Sequence, residues 1–127
     1  MINFNTDLAD ERRDIFKKAN KIDDEVPGIE TEEKEINEKV KLYRVKIVDK
    51  QGEEALGKPM GIYTTIDVKN LKIATEDDIQ KASEVVTEEL KQVFNKHVQA
   101  KDDILVVGLG NVYVTPDSLR TQSYTRY

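Results

Sequence analysis

The amino-acid sequence predicts an α/β fold in which helices cover the faces of a sheet, and three stretches carry that expectation. Ile104 to Val107 is an unbroken run of β-branched residues and leucine, closed by Gly108-Leu109-Gly110-Asn111, which is the pattern of a strand buried on both faces. Residues 75–99 have the period of an amphipathic helix, and residues 42–47 alternate apolar with basic side chains as a strand does. Strand, helix and strand in that order mark a layered α/β domain.

From the amino terminus, Leu8, Ile15, Phe16, Ala19 and Ile22 recur at helical spacings. They predict a helix over residues 7–21, with Thr6 or Asp7 as its cap. Asp10, Glu11 and Asp14 lie early in it and Lys17, Lys18 and Lys21 late, as the helix dipole favours. Asp23 to Gly28 breaks the pattern as a loop. Residues 29–41 are mostly Glu and Lys, with Ile36 and Val40 four apart, which predicts a solvated helix or a mobile connector. From Leu42 the period becomes two. Tyr43, Val45 and Ile47 then form one covered face, alternating with Arg44 and Lys46.

Asp49 to Gly52 closes that strand, and Gly57-Lys58-Pro59-Met60-Gly61 punctuates the chain before Ile62 to Val68. This second strand, β-branched and aromatic, is expected to lie antiparallel beside the first, because the connection is too short for a helical crossover. Thr75 with Asp78 has the spacing of a capping box. It opens the longest helix, in which Ile79, Ala82, Val86, Leu90, Val93 and His97 trace one face.

The 127 residues support one domain, spanning residues 1–127, large enough to bury a core. A net charge of -5, with lysines interleaved among acids, argues against nucleic acid as a partner. The absence of cysteine excludes disulfides and thiolate chemistry. No apolar run has the length of a signal peptide or a membrane span, so the expectation is a soluble, cytoplasmic protein without a membrane partner. His97 is the sole histidine and has no acid cluster at ligand spacing, so no metal and no cofactor is expected.

The candidate chemistry lies beyond Val107. Open α/β sheets place ligands at the carboxyl ends of their strands, which makes Gly108, Gly110 and Asn111 a candidate active-site loop. A dinucleotide loop would want a small residue where Tyr113 stands, so that reading is weak. Asp117 follows Pro116 six residues after Asn111. Taken alone, Thr115-Pro116-Asp117 reads as a helix start, with a threonine cap, a proline at the first position and an acid favoured by the dipole.

Three separated stretches resemble one family. Val106-Val107-Gly108-Leu109-Gly110-Asn111 with Val114, Thr115, Pro116, Asp117 and Leu119 is similar to the VVGLGNWNVTPDALGP motif of the germination proteases, the endopeptidases that degrade small acid-soluble spore proteins when an endospore germinates. Thr6-Asp7-Leu8-Ala9 with Glu11 resembles the family's TDLAxE segment. Gly57-Lys58-Pro59, Gly61, Tyr63 and Thr65 resemble its GKPxGxYxT turn. The three occur in the family's order and span nearly the whole chain.

The resemblance implies a three-layer α/β core related to the hydrogenase maturation peptidases and assembly as a homo-tetramer in the spore core. It also implies a zymogen that cuts itself in the TDLA segment, which places the scissile bond between Asp7 and Leu8 and makes residues 1–7 a propeptide. In the family's aspartic-type mechanism Asp117 is one of two catalytic carboxylates. Such a pair works because two acids held close cannot both ionise, so one activates water while the other donates a proton. The family's second acid lies in its later half, and Glu53, Glu54 and Asp67 have no spacing that singles one of them out. After Leu119 the family continues with Gly-Pro, where this sequence has Arg120-Thr121. The expectation is therefore a truncated germination-protease-like chain. The alternative is a non-catalytic remnant that binds the same acidic segments or docks on a full-length protease.

Overall fold

The structure, a computed structural model, describes residues 2–110, the side chain of Leu71 excepted. They form a small α/β fold with a three-stranded sheet and, among the described residues, three α-helices. The chain divides into two compact units, one up to Asp67 and one from Val68.

The first unit begins with α1 (Ala9–Asn20), followed by β1 (Ile29–Glu35), β2 (Val40–Ile47), α2 (Lys50–Leu56) and β3 (Gly61–Val68). The strand order is β1-β2-β3. β1 and β2 are an antiparallel hairpin in which Ile29 stands opposite Ile47 and Glu35 opposite Lys41. Asn37 makes the turn between them, its side-chain oxygen accepting the amides of Lys39 at 2.8 Å and Val40 at 2.9 Å. This is the local hydrogen bonding that favours Asn in tight turns.

The core of this unit lies between the sheet and the two helices. Ala9 of α1, Val26, Ile29, Val45, Ile47, and Ala55 and Leu56 of α2 pack into one buried cluster, with Phe16 and Tyr63 against it. Burying a side chain the size of Leu56 or Ile47 contributes about 1.5–3 kcal/mol. α2 starts at Asp49, whose carboxylate accepts the Gly52 amide at 3.0 Å, and ends at Gly57, whose left-handed φ of 62° lets its N–H reach Glu53 O at 2.7 Å.

Several sequence expectations change here. Residues 29–35 form a strand, not a solvated helix or connector. Three of their glutamates pair with bases on β2: Glu30 with Lys46, directly opposite, at 3.6 Å, Glu32 with Arg44, directly opposite, and Glu33 with Lys41, diagonal to it in the register, at 3.8 Å. Acid-to-base matching across a ladder supports a strand that has few apolar residues of its own. In β2 both faces carry buried residues, because Val40 and Leu42 fall on the opposite side of the pleat from Val45 and Ile47. β3 does neighbour β2, but the connection holds α2, whose seven residues are too few to show a helical period. α1 buries Ala9 rather than Leu8, which is 44% exposed, and its start has no side-chain cap.

The second unit opens with a 3-10 turn at Leu71–Ile73 and continues as α3 (Glu76–His97). The capping box is formed: the Asp78 amide donates to Thr75 Oγ1 at 3.2 Å and the Thr75 amide donates to Asp78 Oδ2 at 2.9 Å. The apolar stripe exists as a pattern, yet Ile79, Val86, Leu90 and Val93 are all exposed. No described helix is long and apolar enough to cross a membrane.

Ile104 to Val107 corrects the expectation of a strand buried on both faces. These residues belong to no strand, and all four are exposed. A central strand is defined by neighbours on both edges and layers on both faces, and residues 104–107 are not among the three strands of the described sheet.

Candidate functional site

Ala9, Arg12 and Phe16 follow one another at spacings of three and four, so α1 turns a charged side chain toward the same side as its buried alanine. The Arg12 side chain is only 15% exposed. Its guanidinium is a fixed fork of donors, and it engages two parts of the chain at once. Nη1 donates to the carbonyl of Leu56 at 3.0 Å and of Gly57 at 3.2 Å, the orphan acceptors where α2 ends. A cation there also meets the negative end of the helix dipole.

The other side of the fork holds the segment before α1. Nε donates to Thr6 O at 2.7 Å, Nη2 reaches Asp7 Oδ1 at 3.2 Å, and the Phe4 ring lies 5.0 Å from the guanidinium carbon. Thr6 completes the arrangement, its hydroxyl donating to the Glu11 carboxylate and its oxygen accepting the Leu8 amide at 3.2 Å. Leu8 has extended backbone, with φ −73° and ψ 126°. The bond between Asp7 and Leu8 thus lies in an extended stretch, flanked by an Asp7 side chain that is 98% exposed and a Leu8 that is 44% exposed.

The turn after α2 is knitted together by its own residues. Tyr63 donates its hydroxyl to Pro59 O at 2.7 Å, Lys58 Nζ stands 5.1 Å from the Tyr63 ring centre, and the Met60 amide donates to Glu53 Oε1 at 2.8 Å. Thr65 donates to Asp10 Oδ1 at 3.1 Å, tying β3 to α1. The Thr6-to-Glu11 and Gly57-to-Thr65 motifs, which are about fifty residues apart in sequence, are therefore joined through Arg12 and Asp10. Of the spare carboxylates, Glu53 is engaged by this turn, while Glu54 and Asp67 are exposed.

Asp7 and Leu8 belong to this assembly. Gly108, half-buried, and Gly110, exposed, lie in the stretch after α3, outside any helix or strand. Asn111 and Asp117 lie outside the described residues. Periodicity missed Arg12, because a charged residue on an inward stripe is usually counted as solvated. Its spacing from Ala9 and Phe16 was the available signal.

Comparison with known proteins agrees with this arrangement of motifs. Residues 5–126 match the family model described as germination protease. Over 121 residues the chain is 41% identical to the germination protease of Caldanaerobacter subterraneus subsp. tengcongensis, covering 94% of this chain and 34% of that protein. It is 38% identical over 119 residues to that of Clostridium perfringens, covering 94% and 35%, and 38% identical over 120 residues to that of Priestia megaterium, covering 90% and 31%. No solved structure matches. The chain spans about a third of the length of the curated relatives it matches. With the family match running through all three motifs, the chain belongs to the germination protease family.

Proposed function

We propose that this chain carries the amino-terminal part of the active site of an aspartic-type endopeptidase that cleaves small acid-soluble spore proteins. The observation that carries this reading is the family match over residues 5–126, which includes the stretch from Gly108 to Asp117. In this reading Asp117 is one of two catalytic carboxylates, and Gly108, Gly110 and Asn111 form the loop beside it. One acid of the pair takes a proton from water as it attacks the peptide carbonyl, and the other donates a proton to the leaving amine. The sheet with α1 and α2 on one face is read as part of a three-layer core like that of the hydrogenase maturation peptidases. Assembly as a tetramer and residence in the spore core belong to the same proposal.

The same enzyme is proposed to process itself between Asp7 and Leu8. Support comes from the extended backbone at Leu8 and from the exposure of both flanking side chains, which leaves the side chains on either side of the bond open to recognition. The test is the intact mass of the full chain after incubation at mildly acidic pH. Loss of Met1 to Asp7 in the wild type, abolished in Asp117→Ala, supports the reading. Equal processing in both removes Asp117 from the mechanism.

A second reading is a non-catalytic module that binds acidic substrate segments or docks on a full-length protease. The chain spans about a third of the length of the curated relatives it matches, so binding and turnover are measured separately. A peptidase assay run beside a pull-down with spore-protein peptides separates the two. Binding without turnover favours the module, and turnover refutes it.

A further inference from the structure

We propose that Arg12 is a latch on the amino-terminal segment, holding the Asp7–Leu8 bond in a form that a peptidase cannot engage until the guanidinium lets go. The inference rests on the reading of that bond as the processing site. Its basis is the difference between side chains that are open and a main chain that is occupied. The Asp7 and Leu8 side chains face solvent. Three main-chain groups beside the bond are nevertheless taken: Thr6 O by Arg12 Nε at 2.7 Å, the Leu8 amide by Thr6 Oγ1 at 3.2 Å, and Leu8 O by the Arg12 amide at 3.0 Å.

Peptidases receive an extended substrate largely as an added strand, pairing its N–H and C=O groups with their own. A segment whose groups are already paired internally must open first, and the frequency of opening sets the cleavage rate. Arg12 is the side chain that couples this opening to the body of the fold, because the same guanidinium grips Leu56 O and Gly57 O at the end of α2. Phe4 lies against the guanidinium and holds the far end of the segment. The cleavage itself is ordinary hydrolysis. The carbon–nitrogen bond breaks, the oxygen of water joins the Asp7 carbonyl carbon, and Leu8 leaves with a free α-amine. It removes the Phe4, Thr6 and Asp7 contacts of Arg12 together and leaves those to α2.

An added protease isolates the latch from any activity of the chain itself. The full chain is treated with a serine endoprotease that cuts after acidic residues, and mass spectrometry follows the product beginning at Leu8, relative to cleavage after the exposed Asp103. In Arg12→Gln this ratio should rise about tenfold, the change expected when roughly 1.4 kcal/mol of closure is lost. Arg12→Lys should fall between Arg12→Gln and wild type, since one ammonium cannot span Thr6 O and the α2 carbonyls as the fork does. Phe4→Leu leaves the α2 contacts alone and should raise the ratio severalfold, which keeps the test open if Arg12→Gln fails to fold. Thermal melting confirms which variants are folded. Wild-type ratios in Phe4→Leu and in every folded Arg12 variant overturn the latch. Because the protease is added, that result is independent of whether the chain processes itself, which the Asp117→Ala comparison decides.

Discussion

Gly28 and Gly52 meet backbone to backbone, with no room for a side chain on either. A Cβ at Gly52 would overlap the carbonyl oxygen of Gly28, and one at Gly28 would overlap the Asp49 carboxylate and stand 2.5 Å from the Gly52 amide. The contact brings the entry to β1 against the first turn of α2, and Gly28 O also accepts the Val48 amide at 3.0 Å. Substituting Gly52→Ala should therefore lower stability by about 2 kcal/mol, the range for forcing atoms into a packed site. Gly28→Ala should cost at least as much, because its φ of +82° is itself unfavourable for alanine. Urea unfolding midpoints measure both.

Leu56 and Leu90 should respond unequally to truncation. Leu56 is fully buried in the cluster beneath the sheet, whereas Leu90 is 47% exposed on α3. Leu56→Ala is expected to cost about 2–5 kcal/mol, and Leu90→Ala to stay within about 0.5 kcal/mol. A large loss at Leu90 in chemical denaturation would mean that the apolar stripe of α3 is covered in solution.

Removing the α3 cap should be felt locally. Thr75→Ala deletes the acceptor of the Asp78 amide and should cost about 1 kcal/mol, while Thr75→Ser keeps the oxygen and should retain most of the wild-type helicity. Far-ultraviolet circular dichroism across a thermal melt distinguishes the two.

The charges between β1 and β2 should matter more for register than for stability. Glu32→Arg should lower stability by about 0.5 kcal/mol, and the swap Glu32→Arg with Arg44→Glu should recover most of that loss. Both differences should shrink in high salt, since the pairs are at least partly exposed. Denaturation midpoints at low and high ionic strength check this.

Self-processing and the latch give contrasting outcomes. Asp117→Ala should abolish the appearance of the Leu8 terminus during incubation of the chain alone. Arg12→Gln should accelerate the same cut by an added protease about tenfold. Intact-mass measurements read both.

Much of the fold was legible from local pattern. The capping box at Thr75 and Asp78, the helix it opens, and the strand residues from Leu42 and from Ile62 all lie in the expected places. These are short-range features, in which a cap meets an amide three residues away and a strand shows its period within a few positions. The family was legible for a similar reason, because three motifs in order make up a one-dimensional signal.

What the sequence could not determine by itself was anything that depends on a distant partner. Residues 29–35 are a strand because Lys41, Arg44 and Lys46 lie opposite their glutamates, a pairing invisible until the hairpin closes. Ile104 to Val107 has the composition of a buried strand and is exposed, because composition states what a segment would gain from burial and only packing supplies the neighbours. Arg12 shows the same division in one residue. Its position on α1 follows from helical spacing, but its hold on Thr6, Asp7, Leu56 and Gly57 exists only where the tertiary structure brings the end of α2 beside the start of α1. Helix periodicity extends over a few residues, whereas a contact spanning 44 positions is set by the packing of the whole unit.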